Sequence, residues 1–366
     1  MSWQLGLARL AALVGRDLQR PARHAGGGER LWSAGSATLE RLLRLDADAL
    51  ATVHACRRTF DAAAEVAALR KIGVGWVPIG DRDYPPELAE IPDPPFGLFT
   101  CGAPLAVTSH GNPPVVAIVG ARRATAPGLR FARTLAAELA ERGAVILSGL
   151  ALGIDAEAHE GALTADRVTI AVLGSGVDVI HPRRNTTLRH RIHAGGTLVS
   201  EYWPGTTPAP WRFPARNRIV AGMADAVVVV EAGERSGALI TADFALEQGR
   251  PVLAVPGAPG AAASVGCNAL LRAGAAMCES AGDVVAEIPA GAWRPEQPHT
   301  QTAPDGLDGT IYELLCREPL RIEELAIRAS GDAAAIAGAL ARLEVGGLVF
   351  RGQGQRFWAS PLRGAA

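Results

Sequence analysis

The chain has almost no lysine. Lys71 is the only one in 366 residues, so nearly all of the 36 basic side chains are arginines. A Walker-type phosphate loop, which needs lysine in a Gly-Lys-Ser/Thr sequence, is thereby excluded. Cysteine is sparse and odd in number, at positions 56, 101, 267, 278 and 316, with no CxxC pair. That excludes a disulfide framework and a paired-cysteine zinc site and leaves reduced core thiols; no metal and no cofactor are expected. No apolar run approaches the ~18 residues of a membrane helix. The N-terminal MSWQLGLARLAALVGRDLQR mixes acid and base without a small-residue cleavage site, so the expected location is the cytoplasm, away from membrane. The formal charge of -1 leaves no uniformly basic coat. An anionic partner must therefore meet a local concentration of arginine, whose planar guanidinium suits bidentate contacts to phosphate.

What is present is core-forming material. At 48% hydrophobic the chain can bury a sizeable interior, and its length predicts two or three domains. From Leu5 to about Ala68 the residues are Leu- and Ala-rich at helical spacing, which reads as a small helical domain. The following IGDRDYPPELAEIPDPPFGLFTCGAP is too proline-dense for a long helix and reads as a connector with one short strand, Gly97 to Cys101. From Val115 onward, short β-branched runs alternate with helical segments: VVAIVG, AVILSG, VTIAVLG, GTLVSE, AVVVVEA and PVLAVPG. Runs that are apolar at nearly every position suit strands buried on both faces, so the class is α/β, a doubly wound parallel sheet. EIPAGAWRPEQPHTQTAPDG has linker composition. Beyond it, helices at Thr310–Cys316, Ile322–Arg328 and Ala333–Leu343 and a hairpin LVFRGQGQRFWAS with a GQGQ turn outline a winged helix. The expected domains are 1–75, 76–288 and 305–366, joined by a linker over 289–304.

Four of the apolar runs end in glycine-bearing turns, at Gly120, Ser148-Gly149, Gly174 and Gly233 to Gly237. In an open parallel sheet such turns converge on the carboxyl edge, where helix N–H groups bind anions. The first turn, GARRATAPG, puts Arg122 and Arg123 where a dinucleotide fingerprint would need its second glycine. It therefore reads as a phosphate site and not an NAD site, with a solvated surface pair as the competing reading, strongest for Arg123. In the second, SGLALGID, Gly149 and Gly153 permit close backbone approach, Ser148 offers a hydroxyl and Asp155 can cap the helix containing His159. A Ser148-His159-Asp155 triad is weakly supported, since all three come from one turn without a GxSxG elbow. Aromatics are only 5% of the chain, so WRFPARNRIVAG stands out. It interleaves Trp211 and Phe213 with Arg212, Arg216 and Arg218, as single-stranded nucleic acid binding requires. Pairing with internal carboxylates such as Glu201 and Glu231 is the competing reading for any single arginine.

These segments resemble the DNA processing protein A family, also called the Smf family. The resemblance is carried by IVGARRATAPG, SGLALGIDAEAH, IAVLGSGVDVIHP, LVSEYWPGTTP, FPARNRIVAG, ERSGALITADFALEQGR and AVPGAPGAAASVGCNALLRAGA, over about residues 110 to 285, with DYPPELAEIPDPP leading in. It implies an extended Rossmann-like, mainly parallel sheet with a helical N-terminal domain of the SAM or helix-hairpin-helix kind and a winged-helix C-terminal domain. It implies a homodimer that binds and protects single-stranded DNA in a positive pocket and helps load the RecA recombinase during natural transformation, with no catalytic residue. Carried over by motif, the pocket residues are Gly120 and Arg122 with Arg123 beside them; Ser148, Gly149 and Ala151; Phe213, Arg216, Asn217 and Arg218; and Arg235 and Ser236. Two positions depart from the family pattern. Leu152 stands where arginine is common, and GARR replaces GSRR, so Ala121 lacks a hydroxyl. The helix DAAAIAGALARLEVGG carries only Arg342 as a base, which suits protein contacts or regulation better than groove reading, with weak DNA binding as the runner-up.

A Rossmann phosphoribohydrolase acting on nucleoside monophosphates is the alternative from another class. It needs a PGGxGTxxE loop, whereas EAGERSGALITADFALE spreads its glycines and reaches its next glutamate only at Glu247.

Overall fold

A computed structural model of the chain describes residues 2–105, 113–290, 293, 304–329, 331–345, 348–351 and 356–359. Six helices open it: Ser2–Val14, Gln19–His24, Gly28–Ser33, Ser36–Leu43, Ala47–Thr59 and Ala62–Lys71. Strands follow at β1 (Gly75–Pro78), β2 (Gly97–Gly102), β3 (Val115–Val119), β4 (Val145–Ser148), β5 (Thr169–Val172), β6 (Thr197–Ser200), β7 (Ala226–Val229), β8 (Val252–Ala254) and β9 (Ala276–Met277). They form one sheet in the order β1-β2-β6-β5-β4-β3-β7-β8-β9. Strands β3 to β9 run parallel, while β2 lies antiparallel to β6 and β1 antiparallel to β2.

Alternation along each strand divides the core in two. On β3, Val115, Ala117 and Val119 face a cluster with Ile219 and Val220 of helix Arg212–Gly222 and Ala238, Ala242 and Ala245 of helix Gly237–Glu247. Val116 and Ile118 face the opposite layer, with Ala132, Leu135 and Leu139 of helix Ala126–Glu141 and Ile154 and Ala158 of helix Ile154–Thr164. Each strand is thus covered on both sides, which is why its text shows no polar alternation. The N-terminal helices join this body through Leu5, Ala8 and Leu69, packed with Phe99 and Trp203, so residues 1–295 make one compact unit.

Residues 296–366 make the second. It is a winged helix: helices Gly306–Arg317, Ile322–Arg328 and Ala333–Val345 pack around Ile311, Leu325, Ile336 and Leu340, and Val349–Arg351 pairs antiparallel with Phe357–Ala359. Most of the expected linker, 291–292 and 294–303, and the GQGQ turn at 352–355 lie outside the described residues. No helix among the described residues is long and apolar enough to cross a membrane.

Candidate nucleic-acid interface

β3 has β4 on one side and β7 on the other, and the helices that follow β3 and β7 cover opposite faces of the sheet. At such a switch point the connections diverge and leave a crevice beyond the carboxyl ends. A cleft of about 520 Å³ lies there, walled by Gly120 and Arg122 after β3, Gly149, Ala151 and Asp155 after β4, and Ser236, Gly237, Ala238, Ile240 and Thr241 after β7. Its remaining wall is helix Arg212–Gly222, which the long β6-to-β7 connection carries across the sheet, contributing Phe213, Arg216 and Asn217. An apolar alcove of about 220 Å³ adjoins it, lined by Leu150, Leu152, Leu173, Pro182 and Phe213.

The SGLALGID turn is fastened from beneath. The Asp155 carboxylate accepts from the N–H groups of Gly149 (3.2 Å) and Ala151 (3.3 Å). Asn185 donates its amide to the carbonyls of Leu150 (3.0 Å) and Ala151 (3.2 Å). Between these clamps Leu150 is held left-handed, at φ 55°, with its side chain buried. A leucine resists that conformation, so the flanking hydrogen bonds over-determine it. Gly153, at φ 83°, has Ala121 and Arg122 backbone where a Cβ would sit, and only glycine fits. Burial pushes the Asp155 carboxyl up; Arg216, the two amides and Arg122 oppose it.

Two guanidiniums and two rings furnish the cleft. Arg216 is 4% exposed and seated against Gly149. Its Nη1 donates to the carbonyls of Gly149 (2.8 Å) and Val172, and its Nε to Asn217 Oδ1 (3.2 Å). Burial draws its pKa down and Asp155 pulls it back up, so a cation is held preorganised at the cleft floor. Arg122 is exposed and lies 5.3 Å over the Phe213 ring. His181 covers the same ring at a 5.4 Å centroid distance. Burial and then the charge of Arg122 lower the His181 pKa, which keeps the imidazole neutral at pH 7.

Comparison with known proteins settles the lineage. Residues 76–289 match the model of the family described as DNA recombination-mediator protein A, and residues 295–355 match that of the DprA winged helix domain. The chain belongs to the DNA recombination-mediator protein A family. A Mycobacterium tuberculosis relative, a putative DNA processing protein DprA, is 41% identical over 320 residues, covering 82% of this chain and 81% of its own. DNA processing protein A from Streptococcus pneumoniae superposes with a TM-score of 0.63 at 34% identity, over 77% of this chain and 98% of that one. The Helicobacter pylori protein of the same name, described for its single-stranded DNA binding mode, superposes with a TM-score of 0.50 at 33% identity, over 55% and 91%.

Of the residues that the resemblance to this mediator family singled out, the fold brings Gly120, Arg122, Gly149, Ala151, Phe213, Arg216, Asn217 and Ser236 to the cleft. Others are set apart. Ser148 is 0% exposed and donates to the Ile118 carbonyl at 2.6 Å, because a polar group on a buried strand must bond internally; its hydroxyl is not offered to a ligand. The amides of Gly149 and Ala151 are likewise taken by Asp155. Arg218 points to the other side of its helix, where it grips Glu201 bidentately at 3.0 and 2.6 Å with Asp93 at 3.7 Å. The internal-carboxylate reading therefore holds for Arg218. Glu231 too is bound internally, by the Thr125 N–H (2.9 Å) and hydroxyl. Arg123 and Arg235 are exposed and outside the cleft lining. The weighed triad is not assembled, since His159 bonds Thr169 at 2.7 Å. Glu247 lines a separate cavity with Arg218. Sequence reasoning missed His181 and Asn185. Their signal was the HPRRN sequence closing the third glycine-bearing turn.

Proposed function

We propose that this chain is a recombination mediator that holds single-stranded DNA in the switch-point cleft, with no bond-breaking step. The observation that carries the reading is Arg122 stacked on Phe213 beside the buried Arg216: a phosphate ligand, a ring for a base and a fixed cation in one crevice. The only acidic side chain lining the cleft among the described residues, Asp155, is occupied by the amides of its own turn, which leaves a phosphoribohydrolase step without a free carboxylate. Loading of a RecA-type recombinase and assembly as a homodimer belong to the same proposal and rest on family membership.

Titration of the protein with a thymidine oligonucleotide at several salt concentrations tests it. Arg122→Ala should weaken binding about tenfold and reduce the slope of log K against log salt by about 0.7, the value of one released counterion on a single strand. Phe213→Ala should cost about 1–3 kcal/mol with the salt slope unchanged. Two variants that bind with wild-type affinity and slope would remove the cleft from consideration, and release of free base from a nucleoside monophosphate would overturn the non-enzymatic reading.

A further inference from the structure

The residue that precedes the cleft-lining helix presents a second aromatic surface outside the cleft. Trp211 is 43% exposed, with its ring edge-on to Tyr202 at 6.3 Å. The Arg212 guanidinium lies 4.9 Å from the Trp211 ring and 5.2 Å from that of Tyr202. Its Nη1 donates to the Thr207 carbonyl, while its Nε has no hydrogen-bond partner. The assembly is thus fixed before any ligand arrives, which lowers the ordering cost of binding; the buried Nε takes no part in it. Pro210 lines the cleft and Trp211, the next residue, lines a separate cavity with Arg212 and Tyr202, so the two surfaces are neighbours along the chain. An exposed indole beside a guanidinium offers both things that one nucleotide unit needs, a face for the base and a cation for the phosphate.

We propose that Trp211 and Arg212 form a second nucleotide subsite, where the strand leaving the cleft stacks a base on Trp211 and sets a phosphate against Arg212. The proposal rests on the reading of the cleft as the single-strand site. The arginines and rings of WRFPARNR, Arg218 apart, then divide into two stations, with Arg122 joining the first. Phe213, Arg216 and Arg122 hold the strand inside the cleft, and Trp211 and Arg212 hold it outside. Asp17, Leu18 and Gln19, where the first N-terminal helix gives way to the second, border the Trp211 surface, so a purely structural role in that junction is the rival that the test must separate.

Fluorescence anisotropy with labelled thymidine strands of about 4 and about 12 nucleotides, short enough to occupy the cleft alone and long enough to leave it, makes that separation. Trp211→Ala should weaken the longer strand at least about fivefold and leave the shorter within about twofold, and Trp211→Phe should recover most of the loss. Thermal melting of both variants should match the wild type. Unchanged affinity at both lengths overturns the subsite, and so does an equal loss at both lengths, which is what a structural role through the cleft would produce. Arg122→Ala reports separately on the cleft: it should lose affinity at both lengths, and if it loses none the cleft reading falls whatever Trp211 does.

Discussion

A single side chain can be read for its chemistry only after its partners are known, and His159 shows this most plainly. Thr169 donates its hydroxyl to the Ile146 carbonyl, so it accepts from His159 Nδ1–H, and the buried Nε2 is left bare. Burial, with the charge of Arg216 adding to it, holds the His159 pKa down to about 3. A histidine whose pKa is lower folded than unfolded contributes stability that is complete above the unfolded value, near 6.5, and is lost as pH falls toward the folded value. We predict that lowering pH from about 7 to about 5 costs roughly 2 kcal/mol of unfolding free energy through this residue. His159→Gln should flatten the pH dependence by that amount in urea titrations at the two pH values. Equal slopes for variant and wild type would show that the imidazole is not the group responsible. The same lesson applies to Arg218 and Ser148: the residue types suited a ligand site, but the side chains face Glu201 and the Ile118 carbonyl.

At the scale of elements, the turn after β4 is the part of the cleft with the most structure in it. Asn185 supplies both donors to the Leu150 and Ala151 carbonyls from a different connection, the one that follows β5. Asn185→Ala leaves those buried acceptors unpaired, at a cost of about 1–3 kcal/mol. Asn185→Asp should be no better, because a carboxylate cannot donate to a carbonyl. Chemical denaturation of the two variants checks this, and wild-type stability in Asn185→Ala would mean that the turn holds itself. The strands of this sheet were legible because each central one is apolar at nearly every position, and the runs beginning at Val115, Ala144, Val168, Gly196, Ala226 and Pro251 coincide with β3 to β8. β9 was not legible, since Ala276–Met277 is too short for any period to show. β1 was hidden in GWVP, where a tryptophan and a proline break the apolar text. The site was legible as turns that must converge on one edge. Which arginine faces inward was not, because helix Arg212–Gly222 places Arg216 and Arg218 two positions apart and so on different sides.

For the whole molecule, the division at Pro295 puts every cleft residue in the first unit. In the second unit, Arg342, the lone base expected on its recognition helix, donates to both Asp308 oxygens at 2.9 and 2.7 Å. It thus has a standing carboxylate partner that a phosphate would have to displace. A chain ending at Pro295 should therefore bind a thymidine strand within about twofold of the full chain, a difference under about 0.4 kcal/mol. A tenfold loss in the same titration would instead assign the winged helix a share of the binding.

The sheet order has a consequence for how the chain is made. β3 lies between β4 and β7, yet β7 follows it only after β4, β5, β6 and the helix that carries Arg216. While the ribosome is still short of Ala226, VVAIV has one bare edge, and an apolar strand with unpaired N–H and C=O groups invites pairing with another chain. The arrival of β7 closes that edge, and helix Gly237–Glu247, which follows it, completes the cleft. A partly synthesised chain can therefore aggregate before its cleft exists.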